Sequence, residues 1–172
     1  MNRDAIGNRI SVQIEVLIYL YLDKINYLKI HGSELNMKYT ELICPTSRDE
    51  GDEPKVSVII PLYNKADYIK RAIDSVLLQT EDNFELIVIN DGSTDNSETI
   101  VSRYNDPRVL LVNQENQGVA KTRNRGVILA QSRLVSFLDA DDEWDPHFLE
   151  TMINLTYKYP NSGLYGCIQN YN

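Results

Sequence analysis

The chain has 172 residues, of which 42% are hydrophobic and 24% charged, and its formal net charge is −8. This is the composition of a globular domain, and the acidic balance argues against nucleic acid as a partner, because phosphate backbones bind basic surfaces. Cys44 and Cys167 lack the spacing of a metal site or a disulfide framework and fit a reducing compartment. No apolar leader with a cleavage site opens the sequence, so we expect a cytoplasmic location.

Residues 1–54 differ in character from the rest, and we predict a helical extension followed by a linker. Apolar residues between positions 14 and 28 recur at helical spacing. Residues 10–16 alternate as in a strand, but the helical pattern is longer and we favour it. The apolar face of this helix would pack on the domain, on a second copy of the chain as a homodimer, or, less well, on a membrane surface, since its polar face lacks a basic run. Residues 45–54 are rich in turn-forming residues and predict an exposed linker.

From residue 55 to residue 172 the pattern is that of one α/β domain. Hydrophobic runs alternate with helical patterns, which predicts βαβ units and a mainly parallel sheet. The predicted strands cover residues 56–60, 84–89, 109–112, 134–138 and 163–168. The predicted helices cover residues 66–79, a segment after residue 95 that ends near 104, residues 118–130 and residues 145–159.

An acidic cluster follows the strand predicted at residues 134–138. Asp139, Asp141 and Asp142 lie just past its end, and ligands of open α/β sheets bind outside the carboxyl ends of the strands. Carboxylates this close repel one another, and Mg²⁺ or Mn²⁺ bind carboxylate oxygens together with substrate phosphates. The cluster therefore predicts a metal between the protein and a phosphorylated ligand. The alternative is a solvated acidic turn at the start of the next helix.

Polar residues also follow the first two strands of the domain. Pro61, Tyr63 and Asn64 follow the first strand, and Asn90 and Asp91 follow the second. Polar groups that converge at one sheet edge are the usual sign of a binding site in this architecture. The Tyr63 ring can stack on a base, and the Asp91 carboxylate can accept a hydrogen bond from a ring N–H.

The helix predicted from Gly118 adds a candidate phosphate site to the same edge. Its first N–H groups and its dipole favour an anion such as a diphosphate, and Lys121, Arg123 and Arg125 lie in its first turns. Other phosphate and nucleophile motifs are absent, namely GxxxxGK[ST], GxGxxG after the first strand, and GxSxG. Their absence argues against a P-loop ATPase, a Rossmann dinucleotide site and a serine hydrolase of the nucleophile-elbow type.

Four segments resemble the family 2 glycosyltransferases of the GT-A fold. They read VSVIIPLYN at 56–64, FELIVINDGSTD at 84–95, QGVAKTRNRG at 117–126 and FLDADD, the DxD element, at 137–142. The resemblance implies a Rossmann-like α/β/α sandwich, a UDP-sugar donor, a glycan or lipid-linked acceptor, and a Mn²⁺ or Mg²⁺ cofactor. It also implies inverting transfer in polysaccharide biosynthesis for the cell envelope, with the inner face of the membrane as a further location.

The resemblance implies roles for the base-binding end of the site. Asp91 is similar to the aspartate that reads the uracil ring. Pro61 and Tyr63 match strand-end residues that line the base pocket, and Asn64 belongs to the same motif.

The remaining matches concern the ribose, the diphosphate and the metal. Gly118, Arg123 and Asn124 match the region near the ribose and diphosphate. Asp139 looks like the residue near the ribose, and Asp141 looks like the metal ligand.

The family's acceptor half, with an Asp or Glu as general base, follows the DxD strand, whereas 30 residues follow Asp142 here. We therefore expect the donor-binding half of the enzyme, with a sheet truncated after the DxD strand. We expect no general base in this chain and no transfer to an acceptor by this chain alone. The alternatives are a nucleotide-sugar-binding module without turnover and, less favoured, a nucleotidyltransferase, which would carry a Gly-rich basic loop after the first strand.

Overall fold

The computed structural model describes residues 14–19, 53–160, 162 and 164–168. Six strands in these residues form one sheet in the order β4-β3-β2-β5-β1-β6. The strands are β1 (Ile14–Tyr19), β2 (Val56–Leu62), β3 (Phe84–Asp91), β4 (Val109–Gln114), β5 (Leu134–Phe137) and β6 (Leu164–Ile168). The helices are α1 (Ile69–Leu77), α2 (Ser97–Val101), α3 (Val119–Leu129) and α4 (Phe148–Lys158).

The strands β2 to β5 pair in parallel, and helices cover both faces of this part of the sheet. Residues from α1, α2 and α4 pack with one set of strand side chains, among them Val58 and Ile60. Hydrophobic residues next to and within α3 pack with the opposite set, among them Ile59 and Ile87. Strands buried on both faces are hydrophobic at successive positions, as observed in β2 and β3. The α/β/α sandwich and the mainly parallel sheet expected from the sequence are confirmed.

The helix α3 lies unusually close to the sheet at Gly126. A Cβ atom added at Gly126 would lie 2.4 Å from Cγ2 of Ile59 on β2, a distance at which neighbouring atoms must move. Glycine therefore permits the close packing that fixes α3 against β2. Since α3 follows the parallel strand β4 in the chain, its N-terminus lies at the carboxyl edge of the parallel strands.

The strand β2 continues through Pro61, where the sequence pattern predicts a stop. The carbonyl of Ile59 accepts a hydrogen bond from the Leu138 N–H on the β5 side, so position 61, two residues on, faces the same side. The pairing of β2 with β5 ends at Ile59 and Phe137. The missing N–H of proline thus falls beyond the end of that ladder and costs no sheet hydrogen bond.

The helix predicted between residues 14 and 28 is wrong for its first part, because Ile14–Tyr19 is the strand β1. This strand pairs antiparallel with both β5 and β6. Its residues are mostly β-branched or aromatic, which favours strand, and the unpaired edge of β5 supplies a partner that helical spacing does not report. Residues 20–28, the linker at 45–52 and Cys44 lie outside the described residues, and the domain boundary at residue 54 stays a prediction.

Candidate functional site

A cleft of about 480 Å³ opens at the carboxyl edge of β2, β3 and β5, next to the N-terminus of α3. The predicted site residues that line it are Pro61, Tyr63, Asp91, Gly118, Arg123, Asp139 and Asp141. The other lining residues are Leu62, Lys65, Asn116, Val119, Thr122 and Ala140. Parallel strands have their carboxyl ends at the same edge of the sheet, so residues far apart in sequence line the same cleft.

Asp91 ends β3 as a buried carboxylate at the base of the cleft. Its Oδ1 accepts hydrogen bonds from Gln114 Nε2 at 2.6 Å and from the Gln117 N–H at 2.8 Å. Its Oδ2 accepts the Gly118 N–H at 2.9 Å. Burial disfavours the charged carboxylate, but these hydrogen bonds outweigh burial and hold the pKa of Asp91 below its usual range. Asp91 therefore stays ionised, and its hydrogen bonds hold the loop before α3 in place.

Gly118 supplies a backbone conformation that other residues adopt poorly. Its φ angle is +85°, and an added Cβ would meet no atom within 4 Å, so conformation rather than space explains the glycine. The chain can then turn from the loop held by Asp91 directly into α3. The first N–H groups of the helix have no carbonyl one turn back, and they start beside the cleft.

The DxD element contributes two carboxylates, and each is paired with a cation. Arg123 Nη2 lies 2.5 Å from Asp139 Oδ1, and Lys65 Nζ lies 2.6 Å from Asp141 Oδ2. The hydrogen bond to Asp141 raises the pKa of Lys65, and the same contact holds the pKa of Asp141 below its usual range. Both members of each pair are partly exposed to the cleft and remain reachable by a ligand.

The helix α1 supports the DxD loop through a row of polar side chains. Arg71 and Ser75 are spaced four residues apart on α1 and therefore lie on one helix face, and Gln79 follows the end of the helix at the same spacing. Their contacts are Arg71 Nη2 to the Asp141 carbonyl at 2.9 Å, the Trp144 N–H to Ser75 Oγ at 3.1 Å, and Gln79 Nε2 to the Asp145 carbonyl at 2.7 Å. The loop that carries Asp139 and Asp141 is thus attached to a helix whose apolar face packs in the core.

Two predicted residues lie away from the cleft lining. Asn64 has a φ angle of +51°, and its side-chain oxygen accepts the Thr94 N–H at 2.8 Å. Its own N–H donates to Ser93 Oγ at 3.0 Å, so Asn64 joins the turns that follow β2 and β3. Asn124 is half-buried on α3 and does not line the cleft. Their assignment to the donor site stays a prediction.

Three polar residues of the cleft were missed by the sequence analysis. They are Lys65, Asn116 and Thr122. Asn116 Nδ2 donates to the Asp91 carbonyl at 3.0 Å, and Thr122 Oγ1 donates to the Gly118 carbonyl at 2.9 Å. The signal for Thr122 was its position one turn after Gly118 in a helix. Lys65 gave no local signal, since its partner Asp141 is 76 residues away.

The donor atoms of the cleft suit a metal that is shared with a ligand. Among the described residues, no group of three or more His, Cys, Asp or Glu side chains is arranged to hold a metal ion. Mg²⁺ and similar ions are commonly held by one or two carboxylates, with substrate phosphates and waters as the other ligands. Asp141, which already contacts one cation, fits that arrangement.

In the described part of the chain, no helix is both long and apolar enough to cross a bilayer.

The model of the family described as "Glycosyl transferase family 2" matches residues 57–172. The chain belongs to this family, and the resemblance drawn from its four motifs is confirmed. The matched range contains every residue that lines the cleft.

Individual relatives agree with this assignment. The "Uncharacterized glycosyltransferase YibD" of Escherichia coli K12 is 47% identical over 103 residues, which are 59% of this chain and 30% of that protein. S. aureus TarS 1-349, solved in complex with UDP-GlcNAc, superposes with a TM-score of 0.58 at 31% identity over 62% of this chain and 32% of that chain. The mannosyltransferase PcManGT of Pyrobaculum calidifontis, solved with GDP-Man and Mn²⁺, gives a TM-score of 0.54 at 29% identity over 67% and 35%. The chain thus spans about a third of the length of each of these three proteins.

Proposed function

We propose that this chain binds a UDP-linked sugar together with Mn²⁺ or Mg²⁺. We further propose that the protein as a whole transfers the sugar to a glycan or lipid-linked acceptor. The transfer would take place in the cytoplasm or at the inner face of the membrane. The observation that carries the proposal is the meeting, in one cleft, of an exposed aromatic ring, a buried ionised carboxylate and the two paired carboxylates of the DxD element. Solved relatives that bind UDP-GlcNAc, or GDP-Man with Mn²⁺, support a nucleotide-sugar donor.

The base would lie between Tyr63 and Asp91. The Tyr63 side chain is 48% exposed at the mouth of the cleft, and a flat ring there offers a stacking surface. Asp91 is an ionised carboxylate and can only accept hydrogen bonds. Its Oδ2 accepts one backbone N–H from Gly118, which leaves capacity for the ring N–H of uracil.

The sugar-diphosphate part would lie toward α3 and the DxD loop. Arg123 and Asp139 would contact the ribose, and the first turn of α3 would face the diphosphate. Asp141 would ligate the metal, which when bound neutralises negative charge on the leaving diphosphate. Lys65 and Arg71, which contact Asp141, add positive charge at the same end.

Transfer itself requires a base near the acceptor hydroxyl. We propose an inverting displacement for the protein as a whole, because the family resemblance implies one. The described residues supply groups that bind and orient a donor. We assign none of them as the general base.

Isothermal titration of UDP into the 172-residue protein, with and without Mn²⁺, tests the donor site. We expect Asp141→Asn to weaken the Mn²⁺-dependent part of UDP binding by at least ~10–100-fold, the range seen even for partners of metal ligands. Asp91→Ala should weaken UDP binding with or without Mn²⁺. Asp82→Asn removes an exposed carboxylate that does not line the cleft and serves as the matched control. Equal UDP affinity in all four proteins would refute the proposed site.

A further inference from the structure

Lys65 contacts the carboxylate that we assign to the metal. Its ammonium group lies 2.6 Å from Asp141 Oδ2, and both side chains are partly exposed, 39% for Lys65 and 42% for Asp141. An ammonium ion and a divalent cation bind a carboxylate through the same oxygen lone pairs. Lys65 and a metal at Asp141 therefore compete.

The backbone of Lys65 is fixed while its side chain can move. Its N–H donates to Ser97 Oγ at 3.0 Å, which attaches the turn after β2 to the start of α2. The side chain has four methylene groups, and its ammonium also lies 5.7 Å from the centre of the Tyr68 ring. The charged end can thus leave Asp141 without any change in the backbone.

The two neighbouring arginines are held more firmly. Arg71 is attached at two points, through Nη2 to the Asp141 carbonyl at 2.9 Å and through Nε to Glu143 at 3.3 Å. Arg123 pairs with Asp139 and lies over the Phe137 ring at 5.8 Å. Among these three cations, Lys65 is the one with a single strong contact to a prospective metal ligand and a flexible stem.

We propose that Lys65 is a positioning residue that leaves Asp141 for the donor diphosphate when the metal binds. The inference rests on the proposed function of the same cleft. A divalent cation attracts the carboxylate more strongly than a monovalent ammonium does and repels that ammonium from the shared oxygen. The displaced ammonium lines the same cleft, where the diphosphate is the strongest remaining anion.

This exchange couples the metal to the donor. While Lys65 occupies Asp141, it opposes the binding of the metal alone. Once the diphosphate is present, the same residue gains a phosphate contact in place of the lost carboxylate. The result is positive coupling between metal and diphosphate, and such coupling is reciprocal. The cleft would then bind the two together in preference to the metal alone.

The test is Lys65→Met, with Mn²⁺ affinity measured by electron paramagnetic resonance and nucleotide affinity by calorimetry. Mn²⁺ alone should bind roughly two- to five-fold more tightly, the size expected from the loss of one exposed ion pair. UDP in saturating Mn²⁺ should bind roughly ten-fold more weakly, the size of one charge-assisted contact. Uridine, which lacks phosphate, should bind as it does to the unmodified protein.

Two variants control the comparison. Lys70→Met removes an ion pair of the same type, with Asp74 four residues on, outside the residues that line the cleft, and should change neither affinity. Lys65→Arg keeps the charge and should keep both affinities near those of the unmodified protein. Melting curves confirm that each variant is folded.

Opposite changes for Mn²⁺ and for UDP with Mn²⁺ in Lys65→Met would support the exchange. Unchanged affinities, or a loss of both, would overturn it, and the donor site would still stand if Asp141→Asn abolished Mn²⁺-dependent UDP binding. If the unmodified protein bound neither UDP nor Mn²⁺, the proposed function and the exchange would both be refuted.

Discussion

The parallel strands β2 to β5 and the antiparallel strand β1 with its neighbour β6 contribute differently to the molecule. Each parallel strand is followed by a helix that covers a face of the sheet, and β2, β3 and β5 bring their carboxyl ends to the cleft. The strand β1 runs in the opposite direction between β5 and β6. It pairs with the side of β5 that the parallel strands leave open, and the described residues that line the cleft all come from positions 61–141. The cleft therefore depends on the common direction of the parallel strands. The stability of the sheet next to β5 depends on β1, which lies outside the residues that the family model matches.

Deletion of residues 1–50 would test most directly whether β1 stabilises the sheet while the parallel strands alone form the cleft. The strand β5 would lose three registered residue pairs and β6 would lose five. At about 0.5–1.5 kcal/mol net for each ladder hydrogen bond, we expect a loss of several kcal/mol in the free energy of unfolding. Exposed strand edges should also promote association.

Chemical denaturation and light scattering would measure these effects. The fraction of the deleted protein that stays folded should bind UDP with Mn²⁺ as before, because the cleft belongs to the parallel strands. A deleted protein with unchanged stability and unchanged mass in solution would show that β1 does not support the edge. Lost UDP binding in folded protein would show that β1 also shapes the cleft.

Gly126→Val tests the parallel part of the sheet through the close packing of α3 on β2. A side chain at this position meets Ile59 on β2 at a distance that no relaxed contact allows. We expect about 3 kcal/mol of destabilisation from overpacking and weaker UDP binding, because α3 would move away from the sheet.

Ala120→Val on the same helix is the matched control. Ala120 is exposed, so valine there should cost only the helix-propensity difference of about 0.5 kcal/mol. Equal urea midpoints for the two variants would contradict the proposed role of Gly126. A large loss for Gly126→Val with unchanged UDP binding would show that the position of α3 does not matter for the cleft.

The parallel half was predictable because its signals are local. The buried strands are continuous hydrophobic runs and the helices between them show regular spacing. Since parallel strands end at one edge, the order of elements alone placed Asp91 and Asp141 near each other. Element ends moved by a few residues, as at β3, which extends to Asp91.

The errors came from contacts between distant parts of the sequence. Residues 10–16 alternate as in a strand while apolar residues from 14 to 28 recur at helical spacing, and only the pairing of Ile14–Tyr19 with β5 and β6 decides the outcome. The contact between Lys65 and Asp141 depends on the way two loops meet. The hydrogen bonds by which Asn64 joins two turns were likewise not predicted, and its assignment to the donor site stays a prediction. In each case the deciding partner is absent from the local sequence.

The smallest predicted effect concerns the pH dependence contributed by Asp91. Burial raises the pKa of Asp91, but the hydrogen bonds from Gln114, Gln117 and Gly118 lower it by more than burial raises it. The pKa in the folded protein therefore lies below the usual value. A carboxyl group with a lowered folded pKa stabilises the protein above its unfolded pKa of about 3.9, and this stabilisation is lost as the pH falls through the folded pKa. Asp91→Asn removes the titration, so the difference in melting temperature between the two proteins should be greatest near neutral pH and should narrow below about pH 4. Thermal melts from pH 7 to pH 3 measure this difference, with Asp82→Asn as the control for the loss of one surface charge. A difference that stays constant over the whole range would show that the loop before α3 is not held by an ionised Asp91.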